Sequence, residues 1–185
     1  MKKLSYFFYI IILLFYAEKS KALIEVDITR GNLNPLPVAV SPLYLESESK
    51  SKFEEKLNLK DLGQEISKVV ENNLKQSGLF NPLDKDAFLQ KPDIAHVKPR
   101  FEDWALIKAQ ALITGEVKFT DEKLRVEFRL WDILAGKEIM ALAFTTVPEN
   151  WRRVGHIITD KVYERLTGEK GYFDTRIIYV SEKGP

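Results

Sequence analysis

The stretch from residue 111 to residue 146 constrains the fold more than any other. Ala111–Phe119 alternates Ile113, Gly115, Val117 and Phe119 with Leu112, Thr114, Glu116 and Lys118. Lys123–Trp131 alternates Leu124, Val126, Phe128 and Leu130 with Arg125, Glu127 and Arg129, and a third run spans Glu138–Thr146. Successive side chains of a strand point to opposite faces, so a period of two marks a half-buried strand. The connections Thr120-Asp121-Glu122 and Asp132–Lys137, the latter holding Gly136, are short. Parallel strands need long crossovers, so these runs must form an antiparallel meander.

Two longer segments carry the helical period. Leu62, Ile66, Val69, Val70, Asn73 and Leu74 share one face of a helix over Asp61–Ser77, with Asn58 or Asp61 as its N-cap and Gly78 at its end. Trp151, Val154, Ile158, Val162 and Leu166 form a stripe over Trp151–Leu166, stopped by Thr167-Gly168. Short helical pieces are predicted around Lys85–Gln90 and over Ala105–Gln110, the second with Asp103 near its N-cap. Glu46–Lys56 is polar and reads as a surface loop, as do residues 91–100 with their two prolines.

Before the first helix, Leu23–Thr29 sets Ile24, Val26 and Ile28 against Glu25, Asp27 and Thr29, the pattern of a strand. Pro37–Pro42 is a second short strand flanked by prolines, which suit strand ends. A last strand pattern, Thr175–Ser181, follows the final helix. The expectation is an α+β, two-layer domain: a mixed sheet containing the three-stranded antiparallel meander, with two main helices covering one face.

Residues 1–22 are of another kind. Lys2 and Lys3 precede an uncharged run over Tyr6–Ala17, and Ser20-Lys21-Ala22 offers small residues for cleavage after Ala22. This is the layout of a secretory signal peptide, and the apolar run is too short for a permanent span. The leader carries four lysines against Glu18, a net of +3 in a chain of +1, which leaves about −2 for residues 23–185. A mildly acidic exported domain lacks the basic surface that nucleic-acid binding requires. With no cysteine, the domain holds no disulfide framework and must rely on a packed core.

Chemistry finds little support. His96 and His156 are the only histidines and stand far apart, without metal-ligand spacing. Glu102-Asp103 reads as a helix entry, and no serine sits in a nucleophile elbow. Gly168-Glu169-Lys170-Gly171 follows a helix, where a phosphate loop would open one, and so reads as a helix-ending turn. Trp151-Arg152-Arg153 reads as a core tryptophan beside solvated or paired arginines. No catalytic residue, cofactor or metal site is predicted, and the protein is read as a non-enzyme acting through its surface. A hydrolase or small-ligand site in the loops over the sheet is the alternative.

Several blocks resemble the TolB family: ITRGNLNPLPVAV, NNLKQSGLFNPLD, PRFEDWALIKAQALITGEV, FRLWDILAGKEI and WRRVGHIITDKVYERLTGEKGYFDTRIIYVSEKGP. The resemblance implies a periplasmic component of the Tol–Pal envelope system, which helps the outer membrane invaginate at division and stay intact. It implies an N-terminal α/β domain followed by a β-propeller. On that pattern, residues 1–22 are the signal peptide and 23–170 the N-terminal domain. Residues 171–185 are then a linker and the first strand of a propeller absent from this chain, which is a fragment, a truncated product or a stand-alone form.

The resemblance also assigns partners. Contact with a TolA-like inner-membrane protein falls on Leu23, Ile24, Glu25, Val26, Asp27, Ile28, Thr29 and Arg30. Contact with a Pal-like outer-membrane lipoprotein falls largely on the propeller.

Overall fold

The computed structural model describes residues 24, 34–47, 49, 57, 59–120 and 122–175. Its frame is the meander: β4 (Ala111–Thr120), β5 (Lys123–Asp132) and β6 (Lys137–Thr146) pair antiparallel, as the alternation requires. The register runs from Ala111↔Asp132 to Thr120↔Lys123 across the first pair. A bulge between Leu130 and Trp131 shifts the second pair, so that Leu130 faces Met140 and Trp131 faces Glu138.

Two earlier strands, β1 (Leu36–Val40) and β2 (Tyr44–Leu45), both run parallel to β4 on its other side. β3 (Phe80–Pro82) pairs parallel with β1 and forms the far edge, giving a mixed six-stranded sheet in the order β3-β1-β4-β5-β6 with β2 beside β4. Pro37 lies inside β1, where the sequence suggested a strand end. The place is tolerable because Pro37 precedes the first β1–β4 pair, Val38↔Ala111, so no ladder bond requires its missing N–H.

The two main helices, α1 (Leu62–Gln76) and, last in the chain, α4 (Trp151–Thr167), pack on one face. Asp61 caps α1 by accepting from the Gln64 N–H at 2.9 Å. Gly168 ends α4 in the left-handed conformation, and its N–H donates to the Glu164 carbonyl. Between helices and sheet lie Val38, Val40, Ile66, Leu74, Ile113, Phe128, Leu130, Ile158 and Leu166. Each such buried side chain contributes roughly 1.5–3 kcal/mol. All five stripe residues of α4 are buried, and Gly155 permits the close crossing: a Cβ there would meet the Val69 side chain at 2.8 Å. Asn73 ties the helices with its amide, 2.9 Å from His156 Nδ1 and donating to Thr159 Oγ1 at 3.1 Å.

Several local readings need correction. Residues 91–100 hold a short helix, α2 (Pro92–Ala95), where a loop was expected; a proline is at home in a first helical turn, which has no use for its N–H. The next helix, α3, is Phe101–Leu106 and not Ala105–Gln110, so Asp103 falls in its first turn, paired with Arg100. Within the predicted surface loop, Ser47 and Ser49 are helical, as is Leu57 just beyond it. Ser49 is buried, its hydroxyl accepting from the Phe119 N–H at 3.0 Å. The piece around Lys85–Gln90 is a single 3-10 turn, Lys85–Ala87.

The short helices lie across the sheet from α1 and α4, over Ala39, Leu112 and Trp131, where Trp104 and Ala95 close a second, smaller core. Gln90 anchors it: its Oε1 accepts from the Trp104 indole N–H at 2.9 Å and from the Arg100 N–H at 3.1 Å. The leader, Thr29 and the other strand-patterned residues 25–28, and residues 176–185 lie outside the described residues.

Candidate partner-binding site

Of the predicted partner segment Leu23–Arg30, only Ile24 falls among the described residues. Ile24 is half-buried against the main core, and its N–H donates to Asp132 Oδ2 at 3.3 Å. Asp132 closes β5 and is fully buried. Its other oxygen, Oδ1, accepts from the Ala135 N–H at 2.7 Å, and its carbonyl accepts from the Gly136 N–H at 2.9 Å. The local sequence dictates this arrangement. An aspartate at the head of a turn bonds backbone two or three residues on, and Gly136 at φ +65 takes the left-handed position. One carboxylate therefore serves both the β5–β6 turn and Ile24.

Asp132 was not among the residues picked out from sequence. The turn was visible in Asp132–Gly136, but a contact across 108 positions leaves no periodic trace.

At the other end, the chain doubles back after α4. Asp160 accepts from the Phe173 N–H through Oδ1 at 2.7 Å and from the Asp174 N–H through Oδ2 at 3.1 Å. Arg153 donates from Nε and Nη2 to the Asp174 carboxylate at 3.1 Å. The hydrogen bond to Asp174 holds the Arg153 guanidinium above its ordinary range. So Arg153 finds its acid on the return segment. Trp151 is buried and Arg152 lies 4.5 Å over its ring. Tyr172 and Phe173 stack and meet Tyr163 edge-on.

The return segment lies along α4 from Tyr163 to Arg153, whereas Arg165 in the last turn of that helix donates Nε to the Ile139 carbonyl of β6.

The alternative reading, a small-ligand site over the sheet, can be weighed at a hollow among the described residues. A hollow of about 160 Å³ on the face opposite α1 and α4 is lined by His96, Val97, Gly115, Glu116, Glu127 and Arg129. Its charged side chains pair with residues outside the lining. Glu116 pairs with Lys118 at 3.0 Å, holding that ammonium above its ordinary range, and Glu127 pairs with Arg125 at 2.6 Å. His96 stacks on Tyr44 with centroids 4.5 Å apart. Its Nδ1 lies 2.9 Å from the Pro92 carbonyl, which can only accept, so that nitrogen carries the hydrogen. The lining offers no hydroxyl or thiol nucleophile.

His156 packs between α1 and α4, far in sequence from His96. Among the described residues no group of three or more His, Asp or Glu side chains is arranged to hold a metal ion, and no helix is long and apolar enough to cross a membrane.

Comparison with known proteins bears on this arrangement. Residues 24–139 match a family model described as the TolB amino-terminal domain. The Tol-Pal system protein TolB of Pelagibacter ubique (strain HTCC1062) is 81% identical over 167 residues, which cover 90% of this chain and 37% of that protein. The chain therefore spans a little over a third of that curated relative. Among solved structures, the crystal structure of TolB from Acinetobacter baumannii superposes with a TM-score of 0.60 at 20% identity, covering 76% of this chain and 30% of that one. The hypothetical protein CT253 from Chlamydia trachomatis does so with a TM-score of 0.51 at 15% identity, covering 74% of this chain and 100% of that one. At such identities the structural likeness concerns the fold.

Proposed function

The chain belongs to the TolB family, and on that premise we propose that it is a periplasmic, non-catalytic protein-interaction component of the Tol–Pal system. The observation that carries this reading is the 81% identity to a Tol-Pal system protein over nine-tenths of the chain. In this role it helps the outer membrane invaginate at cell division and keep its integrity.

The mature N-terminal segment, Leu23–Arg30, is the part offered to a TolA-like inner-membrane protein. The alternation of Ile24, Val26 and Ile28 with Glu25, Asp27 and Thr29 supports that assignment. Such a segment adds to a partner's sheet edge through its main chain and gains specificity from its alternate side chains. Ile24, the described residue of this segment, is partly buried and gives its N–H to Asp132. A Pal-like lipoprotein is engaged only where a propeller is supplied.

Deleting residues 23–30 from the exported protein tests the assignment. Loss of co-purification with the TolA-like protein, with an unchanged circular-dichroism spectrum, is the expected result. Undiminished co-purification would remove the segment from the interface. Recovery of the protein from the cytosol with its leader intact would exclude the periplasmic role.

A further inference from the structure

We propose that the outer edge of β6 pairs with itself: two copies of this chain join β6 to β6, antiparallel, about a two-fold axis that merges their sheets. The inference is independent of the partner assigned to Leu23–Arg30. The sheet treats its two edges differently. One is β3, three residues long and ending in Pro82, which suits an edge closed to further strands. The other is β6, ten residues long, and among the described residues only β5 pairs with it. An open edge is ordinarily guarded by charge, proline or a bulge. Here the guards stand at the two ends. Lys137, Glu138 and the bulge opposite Leu130 and Trp131 occupy the start, where Arg165 Nε also donates to the Ile139 carbonyl at 3.2 Å. At the other end Asn150 donates to Thr146 Oγ1 at 3.2 Å and Pro148 follows. Residues 140–145 in between carry no charge and no proline.

The same stretch is where the apolar face of the sheet runs out of cover. Val126, Phe128 and Leu130 of β5 are buried, yet their partners on β6 are not: Phe144 and Met140 are half-buried, and Leu142 is 38% exposed. Directly opposed residues of antiparallel strands share a face, and a two-fold axis normal to the sheet keeps both copies' helices on one side. Met140, Leu142 and Phe144 must therefore oppose one another across the junction. Centring the axis on Leu142 achieves this. Leu142 meets its own copy, Met140 meets Phe144 and, on the other face, Ala141 meets Ala143. The charged Lys137 and Glu138 then fall beside the uncharged residues 145–147 of the second copy. Centring on Ala141 would bring Glu138 alongside Phe144, and centring on Ala143 would set Met140 against Thr146. An uncharged edge gives a charged partner strand nothing to pair with, whereas its own reversed sequence matches it. A self-complementary patch is what a two-fold contact requires. A contact one strand wide belongs among the small, transient interfaces.

The chain has no cysteine, so single cysteines report the register. At Leu142→Cys the Cα atoms of the two copies would stand about 4.5–5.5 Å apart, within disulfide reach. At Ala141→Cys the two cysteines are diagonal neighbours, about 7–8 Å apart and out of reach. Under mild oxidation of the exported protein, Leu142→Cys should form covalent dimer at least about tenfold faster than Ala141→Cys. Mixing Ala141→Cys with Ala143→Cys should restore the fast rate in a mixed dimer.

Sedimentation equilibrium of the wild type should show a mass that rises with concentration. Leu142→Lys sets like charges against each other and should abolish that rise at an unchanged circular-dichroism spectrum; mixing it with Leu142→Glu should bring the association back. A wild-type mass that stays monomeric at every concentration would overturn the proposal, as would equal oxidation rates for the two single cysteines. Exchange protection of every amide from 140 to 145 in dilute monomer would do the same, since an open edge leaves every second one bare. The chain would then cover this edge itself.

Discussion

Gly171 lies against the backbone of Asp160: a Cβ on the glycine would stand 2.4 Å from Asp160 Cα. No side-chain rotation relieves an approach to main chain. The contact lets residues 171–174 reach both oxygens of Asp160 and brings Asp174 to Arg153. The return segment thereby sets residue 174 beside the first turn of α4.

Gly171→Ala should therefore detach the return segment while leaving the two-layer core folded. Trypsin cleavage after the exposed Lys170 is expected to quicken, with a global loss of about 1–2 kcal/mol in urea unfolding. Cleavage at the wild-type rate would mean that the segment accommodates the methyl group and is not clamped.

The smaller core predicts a larger loss. Gln90 Oε1 is the acceptor for both the Trp104 indole N–H and the Arg100 N–H in a side chain only 5% exposed. Gln90→Leu would leave two donors without that acceptor, each costing about 1–3 kcal/mol. A destabilisation of about 2–4 kcal/mol is expected, measured by the urea midpoint at unchanged slope. Gln90→Glu keeps the acceptor, and the Gln90 Nε2, buried without a partner, disappears with it. The glutamate variant should accordingly be the milder of the two, and the reverse order would contradict this account of the site.

What could be read from the sequence follows the length of each periodic signal. β4, β5 and β6 were legible to within a residue or so because ten residues of alternation admit one facing. α1 and α4 were legible because their stripes continue for four turns or more. β3 has three residues and α2 four, too few for any period to stand out; they exist because β1 and β4 give them something to pack on. The second-face core escaped notice for the same reason: Trp104, Trp131 and Ala39 come from three separate elements. At the candidate site, Ile24 stood within the segment picked out, whereas Asp132 looked like an ordinary turn residue.

Lys108 marks a place where the sequence departs from local preference. It follows α3 with φ +63, and its N–H donates to the Ala105 carbonyl at 2.9 Å, the position a glycine usually fills after a helix. A side chain with a Cβ in this conformation costs about 1–2 kcal/mol. Lys108→Gly should stabilise the protein by about 1 kcal/mol, raising the urea midpoint, since the gain exceeds the added chain entropy. A lowered midpoint would mean that the lysine side chain contributes contacts outweighing the strain.

The last prediction concerns alkaline pH. Burial pushes the Tyr163 phenol above its ordinary 10.0, with the Tyr172 and Glu169 charges adding to the shift. The hydrogen bond to Glu116 raises the Lys118 ammonium above its ordinary 10.5, against a smaller opposing effect of burial. Both groups hold their proton more tightly in the folded chain than in the unfolded one. Their contribution is complete below the unfolded pKa values and is lost as pH rises through the folded ones, so stability must fall above about pH 10. Tyr163→Phe removes one titrating group and keeps the ring against Phe80 and Phe173. Urea midpoints at about pH 9 and about pH 11 should therefore differ less in the variant than in the wild type. An equal drop in both would show that the Tyr163 phenol ionises as freely in the fold as in the unfolded chain.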